Sequence, residues 1–178
     1  MKKTLMTLAV GCMALVSARD IPVQLEQAKL GADVIPGWTF NKSVKAFQGK
    51  GEIVIGSEAD EKAFHVVTPA GKSTAYYMQA GVPVKVGEYL EISADVKGKG
   101  SITFSYYTYT DKDGFLSGVK AESKTINLTG NWKEIKFKLK INPSTQGIVS
   151  RIRPCFTVSP GSEVWIEDLE LEIDDDLF

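Results

Sequence analysis

Apolar and polar residues alternate along most of this chain with a period of two. Between Tyr89 and Lys97, Leu90, Ile92, Ala94 and Val96 fall on one side and Glu91, Ser93, Asp95 and Lys97 on the other. Gly98 and Gly100 read as the end of that strand. From Trp132 to Ile141, Ile135, Phe137, Leu139 and Ile141 oppose Lys136, Lys138 and Lys140. Successive side chains of a strand point to opposite faces, so both segments predict strands with one face buried and one in water. The same reading predicts strands over Glu52–Ile55, Ala63–Thr68, Ala75–Val84, Ile102–Thr110, Lys124–Leu128, Ile148–Val158 and Val164–Ile173, separated by Gly, Pro, Asn and Asp. No segment carries a helical period. Many short strands without helices predict an all-β sandwich or barrel, and a lysine-studded outer face makes its sheets antiparallel.

The closing strand breaks this rule. Val164 and Ile166 fall in one phase; Leu169, Leu171 and Ile173 fall in the other. A strand can change phase only through a bulge or bend, which the sequence puts at Glu167 and Asp168.

The N-terminus is a different kind of segment. Lys2 and Lys3 precede an apolar run from Leu5 to Val16, and Val16-Ser17-Ala18 is a small-residue cleavage site. Residues 1–18 read as a signal peptide, which implies a secreted or periplasmic protein. Leu8-Ala9-Val10-Gly11-Cys12 loosely matches a lipobox, so a lipoprotein anchored at Cys12 is the lesser alternative. The apolar run is short for a transmembrane span. Residues 19–173 read as one domain and 174–178 as a frayed acidic tail.

Removing residues 1–18 changes charge and cysteine count. The formal charge of minus one loses two lysines, and Cys155 remains as the single cysteine. An exported domain with one cysteine has no internal disulfide, and a near-neutral chain without a basic tract does not bind nucleic acid through an electrostatic footprint.

Several segments in order carry a resemblance. These are Pro36-Gly37-Trp38-Thr39, the block from Tyr77 to Ser93, Thr129-Gly130-Asn131-Trp132-Lys133, and Ile166-Glu167-Asp168-Leu169-Glu170-Leu171. Together they resemble the family 4, 9 and 22 group of carbohydrate-binding modules. The resemblance implies a galactose-binding-like jelly roll, a β-sandwich with carbohydrate bound on one concave face. It also implies a structural calcium near the closing strand, and transfers Asp168 with Glu167 beside it as metal ligands. The family often opens with an Asn-Gly-x-Phe-Glu stretch; here Leu30-Gly31-Ala32-Asp33-Val34 stands in its place, without the glutamate.

Sugar binding needs flat apolar faces for the C–H side of a pyranose and rigid polar groups for its hydroxyls. In Ser105-Tyr106-Tyr107-Thr108-Tyr109, an inward Phe104 turns Tyr107 and Tyr109 outward. In Arg151-Ile152-Arg153-Pro154-Cys155-Phe156, an inward Ile152 and Phe156 turn Arg151, Arg153 and Cys155 outward. If the two strands are neighbours, Tyr107, Tyr109, Arg151 and Arg153 form a groove floor; the alternative is a solvated ladder of cross-strand pairs. Trp38 is a candidate at the groove mouth, or else a plug at the sandwich end. Catalysis has little support: His65 is the one histidine, and the adjacent Glu167 and Asp168 are ill placed as a glycosidase pair. The sequence reads as a non-catalytic carbohydrate-binding domain, with a protein-interaction module of the cell surface as the alternative.

Overall fold

The computed structural model describes residues 18–117 and 121–175. The signal-peptide reading, with Cys12, and residues 176–178 of the tail lie outside the described residues. Among those described there is no helix long and apolar enough to cross a membrane.

The described residues form eleven antiparallel strands: β1 (Arg19–Ile21), β2 (Trp38–Phe40), β3 (Lys50–Ile55), β4 (Lys62–Val67), β5 (Thr74–Met78), β6 (Val82–Pro83), β7 (Tyr89–Tyr109), β8 (Lys124–Thr129), β9 (Lys133–Lys140), β10 (Arg151–Val158) and β11 (Glu163–Asp174). They form a jelly-roll β-sandwich, an all-β architecture as the alternation predicts. Asp174 belongs to β11, paired with Tyr89, so the closing strand runs one residue into the expected tail.

The two strands expected on either side of Gly98 are one. β7 runs for 21 residues, and its even-numbered side chains point inward throughout, from Leu90 to Val96 and again from Ile102 to Thr108. Its first half pairs with β9 and β11; its second half pairs with β8 and β10. One strand therefore belongs to both layers. Gly98 and Gly100 adopt positive φ of 140° and 90°. They bend the strand rather than end it. A Cβ at Gly98 would overlap the Glu163 carbonyl oxygen, and one at Gly100 would overlap the Ser162 hydroxyl. Glycine is required here by close backbone approach as well as by conformation.

The bend folds the sheet over an aromatic core. Phe64 of β4 meets Tyr76 of β5 edge to face at 4.9 Å across the sandwich, and Phe156 of β10 packs against Trp38, Tyr76 and Phe104. Phe64, Phe104, Tyr106 and Phe156 are fully buried. Burying each such side chain contributes roughly 1.5–3 kcal/mol. The outward face of the second layer carries a row of cross-strand neighbours. Lys97 lies over the rings of Trp132 and Trp165 at 5.0 and 5.2 Å, and His65 stacks on Trp165 at 4.2 Å. Trp132 and Trp165 thus flank a lysine on the solvent side.

Pro154 lies inside the sheet, where a missing N–H is ordinarily costly. On one side β10 pairs with β5 from Cys155 to Val158 and with β6 at Arg151 and Ile152. Arg153 and Pro154 fall in the gap between, where no strand asks for the missing donor.

Substituting alanine at Gly98 is expected to cost about 3 kcal/mol, because backbone strain and overlap with Glu163 add. Alanine at Gly71, also left-handed but facing open space, is expected to cost about 1 kcal/mol. Urea unfolding of the two variants measures the difference.

Candidate functional site

The register of β7 and β10 sets Tyr107 opposite Arg153 and Tyr109 opposite Arg151. The strands are neighbours, and the four side chains share the outward face of the first layer. β5 lies on the far side of β10 and adds Tyr77, opposite Cys155. The loop after β7 returns Phe115 to a bridge with Tyr109. Tyr77, Tyr107, Tyr109 and Phe115, together with Asn41 and Ser43, line a shallow groove of about 160 Å³.

The rings are interlocked. Tyr107 meets Tyr77 edge to face at 5.7 Å and Phe115 at 6.2 Å. Tyr109 has Arg153 over one side of its ring at 4.4 Å and Phe115 at 5.6 Å. Tyr109 therefore shapes the groove more than it offers a free face. Phe115, 58% exposed, presents the most open aromatic surface.

The Tyr107 hydroxyl has a fixed role. Ser43 donates twice to Asn41 Oδ1, from its backbone N–H at 3.1 Å and its hydroxyl at 2.5 Å. This turns the Asn41 amide so that Nδ2 donates to the Tyr107 oxygen at 3.0 Å. The phenol's own proton is left to donate elsewhere. Burial raises the Tyr107 pKa, with Cys155 adding and the Asn41 bond opposing. Burial also raises that of Tyr109, and the Arg153 charge lowers it. Both phenols are neutral donors at neutral pH.

Arg151, Arg153 and Asp113 stand beside these six lining residues rather than on the groove floor, and make its polar side. Arg151 Nη1 lies 3.3 Å from both its carboxylate oxygens, and Arg153 Nη2 lies 4.0 Å from Oδ1. Gly81 makes room for this pair, since a Cβ there would stand 3.2 Å from Arg151 Cδ and 3.4 Å from Asp113 Oδ1.

Trp38 is not part of the groove. It is 3% exposed and its ring packs 5.4 Å from Phe156, so the tryptophan turn plugs the sandwich from within. Gln79 is exposed and donates to the Trp38 carbonyl at 3.3 Å. Cys155, turned outward by alternation, is nonetheless buried beneath the tyrosines, and burial pushes its thiol up to about 12. It is no nucleophile at physiological pH.

Tyr77, Phe115, Asn41 and Ser43 of the groove, and Asp113 beside it, escaped the sequence. Tyr77 shares a strand with the buried Tyr76, and alternation alone turns one of the pair outward. Phe115 directly follows the Asp-Lys-Asp-Gly turn, where a returning chain meets Tyr109. Asp113 is in that turn. Asn41 gave no signal.

The closing strand contains the expected bulge. Its register against β7 shifts between Glu167 and Glu170, and Asp168 takes a positive φ of 46°. The bulge brings both phases inward, Val164 and Ile166 before it and Leu169, Leu171 and Ile173 after it. The acids separate: Asp168 is exposed, whereas Glu167 is 2% exposed and accepts from the Ser57 backbone N–H. Calcium takes six to eight oxygens. Among the described residues no three acids or histidines converge as a metal site. The two carboxylates that the resemblance assigns to calcium thus sit in different surroundings, one exposed and one buried.

A second cleft, of about 700 Å³, lies at the sandwich edge between Phe40, Lys50, Glu52 and Val67, above Tyr76. Its floor is the buried Tyr76, which leaves it no open aromatic platform comparable to Phe115.

No family model and no curated protein matches the chain. Solved structures do. An arabinose-bound α-L-arabinofuranosidase matches with a TM-score of 0.62 at 14% identity, over 92% of this chain and 27% of that one. The chain spans about a quarter of that enzyme. A cyclase from Fischerella sp. TAU, in complex with 4-(1H-indol-3-yl)butan-2-one, matches with 0.60 at 12% identity, over 85% of this chain and 96% of that one. A family 11 carbohydrate-binding module from Clostridium thermocellum, in complex with a β-1,3-1,4-mixed-linked tetrasaccharide, matches with 0.53 at 13% identity, over 89% and 96%. At these identities the likeness shows the fold alone. It supports the jelly roll, without reaching the family 4, 9 and 22 group. Enzymes and binding modules both use this fold.

Partial desolvation at the bulge raises the pKa of Asp168, and Glu61, Asp95, Glu26 and Glu170 add to the rise. A carboxylate with a raised folded pKa binds protons more readily folded than unfolded, so its contribution to stability falls as pH rises through that window. Asp168→Asn is therefore expected to stabilise the protein at pH 7 by about 0.5 kcal/mol, the scale of exposed charge interactions. The gain should vanish below the ordinary aspartate pKa. Thermal melts at pH 7 and pH 3.5 measure it. Millimolar calcium is expected to leave the wild-type Tm unchanged; a rise abolished by Asp168→Asn would restore the metal site.

Proposed function

We propose that this chain is an exported, non-catalytic carbohydrate-binding domain that holds a glycan in the groove of Tyr77, Tyr107 and Phe115, beside Arg151 and Arg153. The observation that carries the reading is register. Tyr107 and Arg153, and Tyr109 and Arg151, are direct cross-strand partners on one open face. The module from Clostridium thermocellum, which takes a tetrasaccharide, lends the same fold to that reading. Export rests on the pattern of residues 1–18.

The chemistry of the groove matches the ligand. A pyranose has an apolar C–H face and an equatorial rim of hydroxyls. Phe115 supplies an exposed flat ring at its wall, and aromatic side chains give large contact area at low entropic cost. The Tyr107 proton, oriented by Asn41, and the arginine forks supply donors for hydroxyl oxygens. The groove is smaller than the ~300–1,000 Å³ clefts of drug-sized ligands, which suits one ring of a longer chain lying across it.

The non-catalytic part rests on the groups in the groove. The carboxylate beside it, Asp113, faces two arginines rather than a second acid. His65 lies on the opposite layer, stacked on Trp165 and 3.0 Å from Glu163. A second reading, a protein-docking face, draws on Phe115 and on Ile148, which is 81% exposed on the adjoining loop.

Affinity electrophoresis through soluble polysaccharides tests the site. Tyr107→Ala and Phe115→Ala are each expected to weaken retention at least tenfold, about 1.4 kcal/mol. Phe40→Ala, at the edge cleft, is expected to leave it unchanged. Unaltered retention in the two groove variants, or loss with Phe40→Ala, would move the site. No retention on any polysaccharide would favour the docking reading.

A further inference from the structure

We infer that the groove selects acidic glycans: Arg151 and Arg153 form a receptor for a uronate carboxylate, and in the free protein Asp113 takes that carboxylate's place. This rests on the carbohydrate reading and specifies its ligand class.

The first argument is charge. Two guanidinium groups, two residues apart on β10 and on one face, share a single carboxylate. Among the described residues Asp113 is the one acid paired with either. The cluster keeps one uncompensated positive charge in a half-buried site. A neutral sugar leaves that charge as it is; a uronate neutralises it.

The second argument is geometry. Charge-assisted N–H···O bonds settle near 2.7–2.9 Å, whereas Asp113 stands at 3.3 Å from Arg151 and 4.0 Å from Arg153. The Arg153 Nε is buried without a hydrogen-bond partner. Its guanidinium plane is held over the Tyr109 ring at 4.4 Å, so the fork is already oriented. With Nη2 4.0 Å from Asp113, the outer edge of this pre-set planar guanidinium is open to the two oxygens of a planar carboxylate.

The third argument is the tether. Asp113 is 49% exposed, at a turn tip, with a positive φ of 58°. It meets the arginines from the solvent side, over Gly81, rather than from beneath. A ligand carboxylate arriving along the groove can displace it by turning one side chain into water, without disturbing the β7–β10 ladder.

The test pairs each acidic polymer with its carboxyl-reduced form. Polygalacturonate, alginate and glucuronoxylan are run in affinity gels and in titration calorimetry beside their reduced counterparts. Wild type is compared with Arg153→Gln, Arg151→Gln and Asp113→Asn, each checked for an unchanged melting transition. Retention is expected on at least one acidic polymer, lost on its reduced form, and weakened at least tenfold by either arginine variant. Asp113→Asn should bind the acidic polymer several-fold more tightly, because the competing carboxylate is gone and asparagine tolerates the same backbone conformation. If an arginine variant fails to fold, the Asp113→Asn gain carries the test by itself. Equal retention on acidic and reduced forms would overturn the selectivity and leave the carbohydrate reading standing. Acidic retention indifferent to all three substitutions would also overturn it, as would stronger binding to a sulfated polymer than to every uronate. No retention on any glycan would remove both readings.

Discussion

The bend of β7 at Gly98 and Gly100 is the constraint on which the rest of the molecule depends. A strand of 21 residues is too long for one flat layer of this domain. Because the bend preserves the alternation of inward and outward residues, the same even-numbered set fills the core on both sides of it. Leu90, Ile92 and Val96 face the core from one layer, and Ile102, Phe104 and Tyr106 from the other. A bend that cost one residue of phase would turn Tyr106 out and Tyr107 in, and with them the whole groove.

The groove inherits its order from that strand. β10 pairs residue by residue with the second half of β7, so the odd positions of both strands meet on one face. The phase break in β11 solves the opposite problem. There the chain must change phase, and a bulge with Asp168 in the left-handed region lets apolar residues from both phases turn inward. Glycine keeps the register where the sheet bends, and a bulge shifts it where the hydrophobic pattern shifts.

Much of this was legible in the sequence. Strict alternation in β7 and β9 announced half-solvated antiparallel strands, and the inconsistent phase at Glu167 and Asp168 announced the bulge. Tyr107, Tyr109, Arg151 and Arg153 were legible as outward residues, because each sits between buried neighbours of a known strand. What stayed hidden depends on pairing rather than on pattern. Gly98 and Gly100 look the same whether they end a strand or bend it; the difference lies in the close approach of Glu163 and Ser162, far along the chain. Phe115, Asp113 and Asn41 reach the groove from loops, where no period reports direction. Trp38 was ambiguous for the same reason, since a turn can deliver a tryptophan inward or outward. The resemblance carried calcium to Asp168 and Glu167, yet the bulge that separates the two carboxylates is visible only once β11 is paired.

The central claim is that the face of β5, β10 and the second half of β7 takes a glycan. Backbone amide NMR, with a soluble acidic oligosaccharide titrated into the labelled protein, tests it most directly. The expected result is a saturable set of shifts confined to Asn41, Tyr77, Tyr107, Tyr109, Arg151, Arg153 and the turn from Asp113 to Phe115. Shifts gathered instead on Phe40, Lys50 and Val67 at the sandwich edge, or along the Lys97–Trp165–His65 row, would contradict it.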